Sequence, residues 1–218
     1  MIERIIEKTA DGSDTLFVPL LNEHYHSIKG ARTESQHVFV DMGMKQSMAV
    51  APQILEIGFG TGLNAFLTLL AAEKLYKQTH YTSIELYPLS WKTIAKLEYS
   101  DSPLFRSLHD AIWNTEIAVT PLFILYKIKE DFTKYTFSGT YDLIYFDAFS
   151  PEKQPDMWSQ QLFEYLYRIM NPFGILTTYC AKGVIRRMLQ DVGFTVERIP
   201  GPSGGKREIL RARKRISL

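Results

Sequence analysis

The strongest constraint on the fold is a regular alternation of strand-like and helix-like segments that begins near residue 53. Short apolar runs rich in β-branched and aromatic residues alternate with segments of helical length. Such an alternation is typical of a mostly parallel sheet with helices on both faces. We predict seven strands, with the last two pairing antiparallel at the end of the sheet because they are close in sequence. The predicted strands are 53–58, 80–86, 122–128, 141–147, 174–181, 194–199 and 207–213.

The segments between these strands have helical periodicity, whereas the first 50 residues do not follow the alternation. Helices are predicted over 63–76, 89–99, from Pro103 to about residue 118, 159–170 and 182–192. Residues 1–50 contain a pattern that predicts a hairpin around Asp11-Gly12, followed by a polar segment. The sequence therefore predicts a small N-terminal cap over 1–50 and one α/β domain over 51–218.

Composition excludes several classes of protein. The 218 residues include 45% hydrophobic residues, as expected for one domain with a full core. No apolar run has the length of a membrane span, and the N-terminus lacks the layout of a signal peptide. Cys180 is the single cysteine, and His24 and His26 have no third ligand nearby in the sequence. We therefore expect a cytoplasmic protein that has no metal site and does not bind membranes.

A glycine-rich turn follows the first strand of the domain, in the sequence LEIGFGTGLN (55–64). Gly58, Gly60 and Gly62 allow a tight turn and the close approach of a ligand. Their G-x-G-x-G spacing differs from the G-x-G-x-x-G of dinucleotide sites. Glu56 would repel a pyrophosphate, but it suits a ligand that carries an ammonium or a sulfonium group. S-adenosylmethionine carries both.

Further acids stand where later strands end. Glu85 ends the second strand, at the position from which an acid binds ribose hydroxyls in doubly wound nucleotide folds. Asp131 and Phe132 follow the third strand and would hold the edge and the face of an adenine. Each acid alone could simply cap a helix. Several acids around one glycine-rich turn favour an S-adenosylmethionine site, which Asn64 and the aromatic Phe149 would complete.

Asp147 ends the fourth strand and leads into the loop AFSPEKQP. This strand should lie beside the first, across the switch point where ligands bind in open α/β sheets. Asp147 would then lie near the reactive end of the cofactor. If the methyl acceptor is an amine, a carboxylate there can take its proton and orient its lone pair. The sequence predicts Asp147 as the catalytic residue.

Four stretches resemble a known family: IGFGTGLN, DAFSPEKQPDMW, AKGVIRRMLQDVGF and GGKREIL. They are similar to the methyltransferases that complete 5-methylaminomethyl-2-thiouridine at the tRNA wobble position, of the MnmD or N-terminal MnmC type. The family often has Gly in place of Ala148, and Gly-Phe-Gly-Arg-Lys-Arg-Glu in place of GPSGGKRE. The resemblance implies a Rossmann-like class I fold and S-adenosylmethionine as cofactor. It also implies that Tyr25 belongs to a family segment and closes over that cofactor.

The resemblance further implies a substrate and partners. The substrate would be 5-aminomethyl(-2-thio)uridine in a tRNA anticodon stem-loop. The resemblance also implies a stand-alone methyltransferase, with any flavin-dependent oxidase activity carried by a separate protein. Basic residues would then contact tRNA phosphates. The residues concerned are Lys153, Lys182, Arg186, Arg187, Lys206 and Arg207, together with Arg211, Arg213, Lys214 and Arg215. Two alternatives remain at this point: a nicotinamide-dependent oxidoreductase and a non-catalytic RNA-binding relative.

Overall fold

The N-terminal segment forms a small antiparallel sheet of its own. The computed structural model describes residues 3–215. Strands β1 (Ile5–Lys8), β2 (Asp14–Val18) and β3 (Glu23–His24) pair in that order. The β1–β2 turn contains Gly12 at φ +82°, a conformation that favours glycine. The predicted hairpin around Asp11-Gly12 is therefore confirmed.

Short helical turns follow this small sheet, and the rest of the chain alternates strands and helices. Helix α1 (Ala31–Ser35) runs into a π-helical turn (Gln36–Asp41) and then a 3₁₀ turn (Met44–Gln46). The remaining elements are β4 (Gln53–Ile57), α2 (Leu63–Leu75), β5 (Thr79–Ile84), α3 (Trp91–Ile94), α4 (Pro103–Asp110), β6 (Glu116–Thr120), β7 (Phe123–Ile128), β8 (Tyr141–Phe146), α5 (Gln160–Ile169), β9 (Met170–Thr178), α6 (Gly183–Val192), β10 (Thr195–Pro200) and β11 (Glu208–Arg213). Two 3₁₀ turns cover Ala95–Leu97 and Pro155–Trp158.

The main sheet has the strand order β10-β11-β9-β8-β4-β5-β7-β6. The five inner strands from β9 to β7 are parallel, and β11 and β10 complete one side as an antiparallel pair. The chain proceeds outward from β4 through β5 to β7, and then returns to place β8 on the other side of β4. The carboxyl ends of β4 and β8 therefore flank the switch point of the sheet, where open α/β folds bind ligands. The prediction of a mostly parallel sheet with a final antiparallel pair is confirmed.

Two predictions about the region after β5 are wrong. The helix that begins at Pro103 ends at Asp110 and does not reach residue 118, because residues 116–120 form β6, an eighth strand that pairs antiparallel with the edge of β7. The helix predicted over 89–99 is limited to α3 and a 3₁₀ turn, since Glu98 has a left-handed conformation at φ +46°. The local sequence of each segment is compatible with more than one structure. Pairing with β7 makes residues 116–120 a strand, and the left-handed Glu98 ends the helical turn before residue 99.

Helices cover both faces of the main sheet. Apolar residues of α2, α3 and α4 pack on one face, and those of α5 and α6 pack on the other. Helix α2 is buried almost all round because Val38, Phe39 and Val40 of the N-terminal segment join the same core. The ring of Phe39 lies 5.1 Å from that of Tyr145 on β8. The N-terminal segment is thus packed against the sheet domain, near the switch point.

Within residues 3–215, no helix has both the length and the apolar character needed to cross a membrane. The same part of the chain contains no cluster of three or more His, Cys, Asp or Glu side chains arranged to hold a metal ion.

Candidate active site

A cavity of about 570 Å³ lies at the carboxyl ends of β4, β5, β7 and β8. Residues of the N-terminal segment, from Val18 to Ile28, form part of its wall. Its volume is in the range of small-molecule and cofactor sites. Most of the site residues predicted from the sequence line it. These are Tyr25, Gly58, Gly60, Asn64, Glu85, Asp131, Phe132, Asp147, Phe149, Lys153 and Lys206.

The glycine-rich turn forms the part of the wall next to β4. A Cβ atom on Gly58 would lie 3.0 Å from the backbone oxygen of Asp147, and one on Gly60 would lie 3.3 Å from the Tyr25 ring. Both glycines have positive φ, at +96° and +50°. Gly62 does not line the cavity; a Cβ there would meet His109 Nε2 on α4 at 2.8 Å. The first two glycines therefore shape the cavity, whereas Gly62 permits close packing of the turn on α4.

Glu85 is held in a fixed orientation by the backbone. Its Oε2 accepts a hydrogen bond from the Gly60 N–H at 3.0 Å, and its Oε1 accepts one from the Tyr87 N–H at 2.8 Å. Each carboxylate oxygen can accept a second hydrogen bond. Glu85 is therefore preorganised to accept hydrogen bonds from a ligand in the cavity.

Asp131 lies on the cavity wall, but its side chain also stabilises the turn after β7. Its Oδ1 accepts hydrogen bonds from the N–H and the hydroxyl of Thr133, and its Oδ2 lies 3.2 Å from Lys134 Nζ. The hydrogen bond from the Thr133 hydroxyl is the largest factor that lowers the pKa of Asp131. The ring of Phe132 is buried and also lines the cavity. Asp131 therefore stabilises a turn instead of capping a helix, and it also faces the cavity.

Asp147 is the acid at the centre of the site. Its backbone N–H donates to the carbonyl of Ile57 at 3.1 Å, which fixes it beside the end of β4. Its Oδ2 accepts a hydrogen bond from Asn64 Nδ2 at 2.7 Å. Burial raises the pKa of Asp147 to about 7, although the Asn64 hydrogen bond opposes the increase. A carboxyl group with a pKa near neutrality, in a cavity, suits proton transfer.

Glu56 does not lie where the sequence analysis predicted. Its side chain is fully buried and does not line the cavity, because it points from β4 into the interior near Asn64 and Tyr81. Ser83 Oγ donates to its Oε2 at 2.7 Å, and its Oε1 has no hydrogen-bond partner within residues 3–215. Burial raises its pKa to about 8. Glu56 therefore lies beneath the cavity, behind the Asn64 side chain that holds Asp147.

The N-terminal segment closes the cavity through the predicted Tyr25 and through other residues that the sequence analysis did not assign. His26 Nε2 lies 2.8 Å from Thr61 Oγ1 in the glycine-rich turn, and burial lowers the pKa of His26 to about 4, so the ring is neutral. Ser150 Oγ donates to Glu23 Oε2 at 2.5 Å. The Tyr25 ring meets Phe149 edge to face at 5.1 Å. The sequence analysis considered His24 and His26 only as metal ligands, so it did not predict the contact of His26 with the glycine-rich turn.

A second group, of which the sequence analysis assigned only Lys206, forms the wall near Asp147. The buried Glu34 accepts a hydrogen bond from Lys206 Nζ at 2.6 Å, and this ammonium group lies 4.2 Å from the centre of the Tyr179 ring. All three side chains line the cavity. Glu34 and Lys206 are separated by 172 positions in the chain, and no local pattern connects them.

Apart from Lys153 and Lys206, the basic residues predicted to contact tRNA lie outside the cavity wall. Lys182 forms an ion pair with Glu152, while Arg187 and Arg207 are exposed and Arg186 is half-buried. The basic residues of the final strand and its end contact other parts of the chain. Arg211 and Arg213 pair with Glu197, Lys214 Nζ donates to the carbonyls of Tyr167 and Met170, and Arg215 donates to Thr195 Oγ1.

The doubly wound sheet, the glycine-rich turn and the acids at the strand ends define an enzyme of the Rossmann-like class. A family model described as S-adenosyl-L-methionine-dependent methyltransferase matches residues 106–215. The chain therefore belongs to the family of S-adenosyl-L-methionine-dependent methyltransferases, and S-adenosylmethionine is its methyl donor. The alternatives of an oxidoreductase and a non-catalytic relative receive no support.

Comparisons with individual proteins agree with this class. The chain is 33% identical over 211 residues to the "tRNA 5-methylaminomethyl-2-thiouridine biosynthesis bifunctional protein MnmC" of Cupriavidus necator, covering 87% of this chain and 31% of that protein. It is 28% identical over 237 residues to the protein of the same name from Burkholderia thailandensis, covering 96% and 35%. The chain thus spans about a third of the length of these relatives.

Solved structures support the fold. The crystal structure of MNMC2 from Aquifex aeolicus matches with a TM-score of 0.80 and 23% identity, covering 100% of this chain and 72% of that one. The spermidine synthase of Thermotoga maritima matches with a TM-score of 0.57 and 14% identity, covering 99% and 80%. At these identities, the likeness concerns the fold alone.

Proposed function

We propose that this enzyme methylates the exocyclic amine of 5-aminomethyl(-2-thio)uridine at the wobble position of tRNA. The product would be 5-methylaminomethyl(-2-thio)uridine. The observation that carries the proposal is Asp147, a carboxyl group on the cavity wall whose pKa is about 7. The printed names of the relatives, which refer to the biosynthesis of this nucleoside in tRNA, and the motif DAFSPEKQPDMW support the same substrate.

The cavity fits the cofactor in size and in chemistry. Glu85, which two backbone N–H groups hold in place, would accept hydrogen bonds from the ribose hydroxyls, and Asp131 and Phe132, which line the cavity, would bind the adenine. Gly58 and Gly60 leave room for the methionine portion between β4, β8 and Tyr25. When bound, S-adenosylmethionine supplies a methyl group that is electrophilic because it is attached to a sulfonium. Glu56 would act on this region only through Asn64, since it does not reach the cavity.

Asp147 prepares the acceptor. An alkylamine is protonated near neutral pH, and its ammonium form has no lone pair to donate. The ionised carboxylate of Asp147 accepts one proton from this ammonium group. The freed lone pair would then form the new nitrogen–carbon bond as the bond between the methyl carbon and the sulfur breaks, and a neutral thioether would leave. A group with a pKa near 7 is present partly as the base and returns the proton to solvent readily. Asn64 keeps the carboxylate in position, because it donates to Oδ2 and leaves Oδ1 for the amine.

The macromolecular partner would be a tRNA anticodon stem-loop. The wobble base would leave the stacked loop and enter the cavity, as unstacked loop nucleotides commonly do when proteins read them. Lys153 on the wall and the exposed Lys182, Arg187 and Arg207 would contact phosphates around it. A tRNA substrate also implies that the enzyme acts in the cytoplasm.

The test is methyl transfer from labelled S-adenosylmethionine to tRNA that carries the 5-aminomethyl group without the methyl. We expect incorporation by the wild type, with kcat/KM that rises as pH increases through about 7, because Asp147 must lose its proton. Asp147→Asn should reduce kcat/KM about 100-fold or more and leave the Kd of the cofactor nearly unchanged. Asp101→Asn, at an exposed loop position, is the matched control.

Two results would contradict the proposal. Equal rates in the wild type and in Asp147→Asn would remove Asp147 from the mechanism. A wild-type enzyme that binds S-adenosylmethionine but transfers no methyl group to this tRNA would reject the substrate.

A further inference from the structure

Lys206 lines the cavity, and its ammonium group is held there by two contacts. Its Nζ donates to Glu34 Oε1 at 2.6 Å and lies 4.2 Å from the centre of the Tyr179 ring. Glu34 is itself fixed, since its Oε2 accepts the Ser27 N–H at 2.9 Å and its side chain is only 8% exposed. A lysine ammonium has three donors. Within residues 3–215, Glu34 is its one hydrogen-bond acceptor.

This anchored lysine lies close to Asp147. Tyr179, on which it rests, donates its hydroxyl hydrogen to the carbonyl of Ala148 at 2.9 Å, and Ala148 directly follows Asp147. The charges of both Glu34 and Lys206 act on Asp147, in opposite directions. Because Glu34 balances the charge of Lys206, the pair contributes a hydrogen-bond donor without a net positive charge that would repel an incoming ammonium group.

The proposed substrate presents a matching pair of groups. In a 5-aminomethyluracil ring, the 4-carbonyl adjoins the carbon that carries the aminomethyl arm. Asp147 would therefore receive the amine, and the ammonium group of Lys206 beside it would donate to the neighbouring carbonyl. A hydrogen bond from a charged donor to such a carbonyl contributes more than one between neutral groups. A cytosine ring has an amino group at this position, which would face the lysine donor-to-donor.

We propose that Lys206, oriented by Glu34 and Tyr179, donates a hydrogen bond to the 4-carbonyl of the acceptor base and thereby selects a uracil over a cytosine. This inference rests on the proposed function and deepens it. It differs from a phosphate contact, because a phosphate carries no information about the base. Lys206 is here a specificity-determining residue, and Asp147 remains the group that receives the proton.

The experiment compares two anticodon stem-loop oligonucleotides that differ in one base, 5-aminomethyluridine or 5-aminomethylcytidine at the wobble position. The wild type should methylate the first with a kcat/KM about 10- to 100-fold higher, the range expected for losing a charged hydrogen bond. Lys206→Met should reduce this ratio to nearly one, mainly by slowing reaction with the uridine. Lys206→Arg, which keeps a cationic donor, should retain a large part of the ratio.

The controls separate selectivity from folding and from cofactor binding. Lys45→Met removes another lysine that pairs with a carboxylate, Asp41 at 2.7 Å, outside the cavity, and should keep the wild-type ratio. The Kd of S-adenosylmethionine should be the same in all variants. If Lys206→Met slows methylation of both oligonucleotides equally, Lys206 contacts phosphate or only supports the wall, and the inference is wrong. A wild type that binds cofactor and methylates neither oligonucleotide rejects the proposed function itself, and this inference with it.

Discussion

Replacing Glu56 by Gln should make the stability of the protein much less dependent on pH. Glu56 is fully buried, and its Oε1 has no partner among the described residues. Burial raises its pKa from 4.5 to about 8. The folded chain therefore binds a proton here that the unfolded chain has already released. Between these two pKa values, the free energy of unfolding falls as pH rises, because ionisation favours the unfolded state.

The size of the effect follows from the two pKa values. Each pH unit inside the window changes the free energy of unfolding by about 1.4 kcal/mol for a group that is protonated when folded and ionised when unfolded. Between about pH 5 and pH 8, Glu56 should therefore destabilise the wild type by on the order of 3 kcal/mol. For a chain of this size, that corresponds to a decrease in Tm of roughly 10 °C. A Gln side chain does not titrate, and its amide can still accept from Ser83.

The measurement is urea unfolding of the wild type and Glu56→Gln at several pH values between 5 and 8. The difference in free energy of unfolding between the two proteins should widen steadily in favour of the variant as pH rises. Asp147 is present in both proteins and its charge contributes to the raised pKa of Glu56, so the difference reports the titration of Glu56 together with its interaction with Asp147. Glu116→Gln, at an exposed position of β6, reports the same chemical change without burial. Parallel loss of stability in the wild type and in Glu56→Gln would refute the reasoning.

Two further predictions concern ligands. Gly60→Ala should raise the Kd of S-adenosylmethionine at least tenfold in calorimetric titration, because residue 60 has φ +50° and a Cβ there would lie 3.3 Å from the Tyr25 ring. Gly204→Ala is the control: it has similar strain at φ +72° but nothing within 4 Å, so the Kd should not change, and equal effects of the two variants would contradict a role for the turn. If tRNA is the partner, replacing outward-facing basic residues should reduce the slope of log K for tRNA binding against log salt concentration by about 0.7 to 0.9 per lost phosphate contact. Replacing Arg211 and Arg213, which pair with Glu197, should leave this slope unchanged, and the same slope in all variants would reject the proposed tRNA surface. The outward-facing set is Lys182, Arg187 and Arg207.

The fold could be predicted where local patterns and long-range structure agree, and the region after α4 shows where they do not. Pro103 marked the start of this helix correctly, and the structure adds a cap, because Ser102 Oγ accepts the N–H of Leu104. The end was missed because β6 forms only by pairing with the edge of β7. Asn114, at φ +60°, donates its N–H to the carbonyl of Lys127 and starts this return. The alternating run EIAVT and the preceding Asn were the available signals, and the helical pattern before them outweighed both.

The site could be predicted in the part that the main sheet builds. Residues that directly follow parallel strands must meet at one edge of the sheet, so Glu85, Asp131 and Asp147 could be placed together from their positions alone. Glu56 is inside a strand, and alternation along that strand determines whether it faces a ligand or the interior. The charge of Glu56 suggested that it contacts a cationic ligand, whereas its position in β4 directs its side chain to the interior. Residues such as Glu34 and Lys206 meet only through tertiary packing, which no local pattern encodes.

The way in which the chain divides the cavity wall has a consequence for how such an enzyme can change. The residues that we propose to bind the cofactor, Gly58, Gly60, Glu85 and Asp131, come from the middle of the chain, whereas Glu34 and Lys206 come from positions 34 and 206. Under the proposed function, exchanging the segments that carry Glu34 and Lys206 as a matched pair would change which methyl acceptor the enzyme selects and would leave the cofactor-binding part of the wall unchanged. Exchanging either segment alone would separate a buried carboxylate from its counter-ion, so new acceptor specificities have to be introduced in both segments together.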